Sequence, residues 1–364
     1  MKDTFPGYYK PSEIELQRLW DNCIFTLDAN VLLNLYRYSA ETNSEIIHNL
    51  QQVSDRLWIP YNAALEYHQR RLEVIESQED SYLDLLNFLE NTKNELKERL
   101  VSDNNSYLSD QLIDKVVKIF NDIEEKLKSK KDDYLSLFEN DELKNAISKL
   151  MERKVGPQYS EEQLNEIYNE GEVRYAKKIP PGYLNGESKL DRIKYNNLVI
   201  WKQIIDKARS TYKPILFLSD KKTEDWWLKF RNRIIGPRPE LIREIKDKAN
   251  VQFHMYRIDP FMESSQKYLE LSIKQEAIEE VQKFRERDDK SLSSKAELAK
   301  QLRYQREAVI NLSKELEELA NQTEVFNLKE ISKALKQYKG KQKITKEDIL
   351  KEVKANTEED FPEK

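Results

Sequence analysis

Residues 26–35 read TLDANVLLNL, an apolar run interrupted by Asp28 and Asn30. Residues 23–28 have the length and apolar content of a buried strand, and a helical pattern follows Asn30. An acid therefore stands at the carboxyl end of a strand, with an amide two residues later. In an open parallel sheet, ligands bind in the crevice beyond those carboxyl ends. Asp28 is thus a candidate site residue. Asn30 is suited either to cap the next helix or to hydrogen-bond Asp28 and fix its rotamer. Three further stretches, 56–59, 214–219 and 251–258, read as short buried strands. Helical patterns separate them. One starts near Pro60, a suitable first helical residue, and others cover 193–209 and 239–248. This alternation predicts an α/β architecture, a parallel sheet with helices on its faces.

Residues 79–170 differ in character. They are dense in Glu, Lys, Leu and Asn with no strand signal, and they read as a helical insertion. It divides the α/β domain into parts 1–78 and 171–260, with KIPPGY (178–183) leading back to the sheet. Residues 261–364 read as a helical C-terminal region. There Leu298, Leu302, Gln305, Val309, Leu312, Leu316 and Leu319 form a short heptad seam. Two readings of the seam stay open: a helical hairpin on its own domain, or a coiled coil that joins a second copy or a partner protein. No internal repeat is present.

Composition narrows the function classes. Of 364 residues, 38% are hydrophobic and 35% charged, which suits long solvated helices around a modest core. Seven glycines do not favour a Gly-rich phosphate loop or a turn-rich barrel. With 61 basic and 66 acidic residues the net charge is -5, so nucleic-acid contact requires a local patch. Cys23, the sole cysteine, excludes an internal disulfide and a multi-cysteine zinc site. The first residues carry no apolar signal core, and no run reaches the ~20 apolar residues of a membrane helix. The expectation is a cytoplasmic protein with no membrane partner.

More acids gather where the topology would place Asp28. Glu66 lies on the second turn of the helix that follows Pro60. Asp220 follows the strand at 214–219 directly, with Glu224 and Asp225 one helical turn beyond. Converging carboxylates repel one another and lose hydration, and a divalent cation compensates. Mg²⁺ or Mn²⁺ on oxygen ligands can activate water and stabilise charge on a phosphoryl oxygen. Asp28, Glu66 and Asp220 are therefore predicted metal ligands for phosphodiester hydrolysis. Taken singly, each reads equally well as a cap or a satisfied buried carboxylate. His48, His68 and His254 are scattered and read as structural. Trp201, Trp226 and Trp227 read as wall packing ahead of base stacking. Lys221, Lys222, Arg231, Arg233, Arg238 and Arg243 suit either a phosphate track or a solvated helix face.

Five ordered motifs carry a family resemblance: FTLDANVLLNLYRYS (25–39), IPYNAALEYHQRR (59–71), YNNLVIWKQII (195–205), LFLSDKKTEDWW (216–227) and GPRPELI (236–242). Over roughly residues 15–260 the chain resembles bacterial PIN-like domains, relatives of PIN and FLAP-type nucleases. The resemblance implies a three-layer α/β/α, Rossmann-like fold and an acidic site holding Mg²⁺ or Mn²⁺. It implies endonuclease activity, mostly on RNA, that leaves a 5′-phosphate, and a role as a toxin or phage-defence effector. Asp28 matches the first acid and Glu66 the second, and Asp220 and Asp225 fall in the third acidic motif. The chain departs from the pattern where Asn197 and Lys221 replace usual acids and where Asn185 follows PPGY. These changes weaken cation binding. The expectation is a weakened metal-dependent endoribonuclease on RNA or DNA, with Asp28, Glu66, Asp220, Asn197 and Asp225 in the catalytic set. Asn30, Lys222, Arg231 and Arg233 are the expected nucleic-acid contacts. Two alternatives are a haloacid-dehalogenase-type phosphatase, which lacks its general acid at Asn30, and an inactive PIN-like scaffold that binds protein or nucleic acid through its helical regions.

Overall fold

The computed structural model describes residues 1–2, 4–102, 110–185, 192–231 and 233–289. Its centre is β1 (Ile24–Leu27), buried at all four positions. β1 pairs in parallel with β2 (Leu57–Trp58) on one side and β3 (Ile215–Leu218) on the other, and β3 pairs in parallel with β6 (Phe253–Tyr256). The order β2-β1-β3-β6 places the topological switch point between β1 and β3. All four strands fall inside the predicted spans. Their register aligns Leu27 with Leu218 and Leu218 with Tyr256. The residues that follow each strand therefore leave the sheet side by side.

Parallel strands require long crossovers, and helices supply them. Helix α1 (Glu13–Asn22) precedes the sheet and starts from a capping box, in which Ser12 and Glu15 satisfy each other's backbone groups. Its Trp20 stacks on Phe261 at 5.6 Å and on Tyr268 at 5.3 Å, with Phe25 edge-on at 5.3 Å. Helices α2 (Ala29–Asn34) and α3 (Ala40–Gln52) link β1 to β2. Between β2 and β3 run α4 (Tyr61–Ser102), α5 (Asp110–Glu139), α6 (Glu142–Leu150), α7 (Glu161–Ala176) and α8 (Asn196–Thr211). Helix α4 is a single element of 42 residues, so the expected boundary at 78/79 falls within it.

An antiparallel hairpin, β4 (Trp227–Phe230) and β5 (Arg233–Pro237), follows β3. No strand is predicted there. Lys229, Arg231 and Arg233 break up the apolar signal because the hairpin lies half in solvent. Helix α9 (Pro239–Ala249) then leads to β6, and α10 (Ile258–Tyr268) follows it. The compact unit extends from Met1 to Lys283, beyond the predicted edge at 260. Residues 275–283 are helical, and Glu280 accepts hydrogen bonds from the Ser39 N–H and Oγ and from Thr42 Oγ1, each at 2.6 Å. This carboxylate caps the first turn of α3 from a distant part of the chain. In the second unit, Phe284–Lys364, residues 284–289 are described and helical. The heptad seam at 298–319 lies outside the described residues. Among the described residues, no helix is long and apolar enough to cross a membrane.

His254 on β6 packs edge-on to Tyr256 at 4.7 Å. Burial pushes its imidazole pKa down to about 4. A depressed folded value gives stability that is intact above the ordinary histidine range and is lost as pH falls through it toward 4. At pH 5 the native chain should be weaker by on the order of 1–2 kcal/mol, a loss that His254→Gln escapes. Urea unfolding of both proteins at pH 7 and pH 5 checks this.

Candidate functional site

Asp28 follows β1 directly and has no exposed surface. It precedes α2, but its side chain makes no cap hydrogen bond to that helix. The carboxylate turns to the switch point instead. Lys221 Nζ donates to Oδ1 at 2.8 Å. Ser219 Oγ and Asn30 Nδ2 each donate to Oδ2 at 3.1 Å. Asn30 thus takes the rotamer-fixing role, the second of the two predicted for it. Lys221 also donates its backbone N–H to Ser219 Oγ at 3.3 Å, and its ammonium lies 5.1 Å from the Trp226 ring centroid.

Asp220 goes elsewhere. Asn34 Nδ2 donates to its Oδ2 at 2.9 Å, and the Ile258 N–H donates to its Oδ1 at 3.2 Å. Burial pushes its carboxyl above the ordinary carboxylate range, against the opposing charge of Arg257. Ser219 and Lys221 meet Asp28, while Asp220 between them meets Asn34 and the Ile258 N–H instead.

Glu66, on α4, is held by a surface cation and an amide. Arg70 donates to Oε1 at 2.8 Å, and Asn196 Nδ2 donates to Oε2 at 2.8 Å. Asn196 in turn accepts from Asn62 Nδ2 at 3.0 Å, and the Asn62 N–H donates to Gln203 Oε1 at 3.2 Å. This amide chain ties Glu66 to the start of α8. Asn197, the next residue, is buried. Neither Asn196 nor Gln203 is apparent as a partner from the sequence, because both contacts join distant segments.

Asp225 is fully buried. Its Oδ2 accepts the Gly182 N–H at 2.6 Å, and among the described residues its Oδ1 has no partner. Gly182 sits at φ +97°, and a Cβ there would lie 2.3 Å from the Tyr175 hydroxyl and 3.0 Å from Asn197 Cβ. Glycine is required for this approach. Trp201, Trp226 and Trp227 are buried and form walls. The β4–β5 hairpin is fastened beside the site, since Trp227 Nε1 donates to the Lys221 carbonyl at 2.6 Å and Lys229 Nζ donates to the Lys222 carbonyl. Its outer end carries Phe230, 64% exposed, with the Arg231 guanidinium 5.4 Å from the ring centroid.

A family model described as a PIN like domain matches residues 24–241. The chain belongs to the PIN-like domain family. No curated protein and no solved structure matches it. The four-stranded parallel sheet with helices around it agrees with the α/β/α architecture of PIN-like domains. PIN domains generally use divalent metals, and PIN-like domains commonly bind nucleic acids. In this PIN-like domain the fit to a metal is poor. Among the described residues no group of three His, Cys, Asp or Glu side chains is placed to hold an ion. Asp28, Glu66 and Asp220 do not form such a group; each is engaged by its own partners, and Lys221 holds Asp28.

Gly182→Ala should destabilise the protein by about 1–3 kcal/mol, through the positive φ and the contact with Tyr175. Chemical denaturation of the variant against the native chain tests the size of the loss.

Proposed function

We propose that this PIN-like domain binds single-stranded RNA beside the carboxyl edge of the sheet, with the β4–β5 hairpin as its grip, without cleaving it. The observation that carries this reading is the exposed Phe230 with Arg231 against its ring and Arg233 exposed across the hairpin. An open aromatic face stacks a base of any sequence, and neighbouring guanidiniums track the phosphates. Lys222 and Asn30 are the inner contacts in this scheme. The anchoring of the hairpin to the backbone of residues 221 and 222 supports the placement of a bound strand beside Asp28. The net charge of -5 is compatible with this, since the basic groups concerned are local.

The second reading is a Mg²⁺- or Mn²⁺-dependent endoribonuclease acting as a toxin or phage-defence effector. The retention of Asp28, Glu66, Asp220 and Asp225 at acidic motif positions favours it. End-labelled RNA incubated with Mn²⁺ separates the two readings. Binding without cleavage is expected. Cleavage abolished by Asp28→Asn would establish the nuclease instead.

Phe230→Ala should weaken binding of a short single-stranded RNA roughly tenfold, within the ~1–3 kcal/mol of one stacked base. Arg231→Ala and Arg233→Ala should each flatten the slope of log affinity against log salt by about 0.7. Fluorescence anisotropy across a salt series measures both effects. Unchanged affinity and slope in all three variants would sink the hairpin assignment.

A further inference from the structure

A carboxylate with no exposed surface needs a cation or a proton, or it destabilises the fold. For Asp28 the cation belongs to the chain itself. The Lys221 side chain is 9% exposed and its ammonium lies 2.8 Å from Asp28 Oδ1. The opposite oxygen is filled by donors from Ser219 and Asn30. The ammonium rests over the buried Trp226 ring, and the Lys221 backbone is fixed through Ser219 Oγ and through its own carbonyl, which Trp227 Nε1 holds. A Mg²⁺ ion needs a ligand oxygen at ~2.0–2.1 Å, in the space where the ammonium already sits. Glu66 and Asp220 are held by partners of their own, and among the described residues no three His, Cys, Asp or Glu side chains form a group able to hold an ion.

We propose that Lys221 is the resident cation of this site, holding the Asp28 carboxylate in place of a divalent ion, so that the native chain takes no Mg²⁺ or Mn²⁺ there. Lys221 supplies one positive charge to one carboxylate, so the buried pair is neutral, and both carboxylate oxygens accept hydrogen bonds. The strand-end site is a closed electrostatic unit. It stands on the geometry of the pair and does not depend on the RNA reading.

Removing the ammonium while keeping the alkyl stem makes the test. Lys221→Met in the full chain leaves Asp28 buried without its cation and leaves the stem over Trp226. Its melting temperature should fall below the native value. Millimolar Mn²⁺ should then raise it by about 5 °C or more, because the ion fills the vacated place. The native chain should show no such rise and no loss of free-Mn²⁺ signal by electron paramagnetic resonance. In Lys221→Met with Asp28→Asn the Mn²⁺ response should vanish. Lys221→Asp is the second variant, read by the same resonance signal, and it should bind Mn²⁺ even if the methionine variant does not fold. Mn²⁺ binding by the native chain that Asp28→Asn removes would overturn the proposal. So would the absence of any Mn²⁺ response in both Lys221 variants. RNA affinity enters none of these measurements, so this proposal and the RNA reading fail separately.

Discussion

Burying a negative charge at the end of a parallel strand is the constraint around which this structure is arranged. Asp28 lies at the switch point between β1 and β3 and has no exposed surface. Once the acid is there, its surroundings are largely dictated. The segment after β3 must turn back over the end of β1 to deliver Ser219 and Lys221. Trp226 must lie under the ammonium, and the hairpin that begins at Trp227 is fastened to the same backbone. The position of the β4–β5 hairpin is therefore linked to the electrostatics of a residue about two hundred positions earlier.

The same logic recurs away from the strand ends, where a buried charge meets its opposite and also carries hydrogen bonds. Arg174 on α7 donates to both oxygens of Glu244 on α9 at 2.7 Å, and Trp201 Nε1 on α8 donates to Glu244 Oε2 at 2.9 Å. Three helices are joined by one carboxylate. Elsewhere, Asp141 at the start of α6 receives Arg71 from α4 and the Tyr36 hydroxyl at 2.8 Å. Such pairs add little net stability after desolvation, but each is costly to break on one side only. They fix which helix faces which.

Much of the architecture could be read from the chain. Four short apolar runs were enough for the sheet, and the acid ending the first of them stands at the switch point between β1 and β3. What escaped was of two kinds. The β4–β5 hairpin is half exposed and interrupted by cations, so it has no strong periodic signature. The contacts that define the site join residues far apart, such as Lys221 with Asp28 and Asn196 with Glu66, and no local pattern encodes them. Asp220 is the instructive case. As a residue type in the acidic motif it looked equivalent to Asp28, yet its carboxylate accepts from Asn34 and the Ile258 amide. The lysine next to it inherits the place. Reading residue types alone did not separate the partners of Asp28 from those of Asp220.

Helix α4 sets the mechanical character of the site. It runs unbroken for 42 residues, about 63 Å at 1.5 Å per residue, and Glu66 stands about 7.5 Å from its first residue. A stiff beam clamped at its base reduces displacement toward the clamp. A sway of about 10 Å at the far end becomes roughly 1 Å at Glu66 by simple proportion along the helix. The hairpin of α4 and α5 can thus strike neighbours, bend or be pulled while the crevice scarcely registers it.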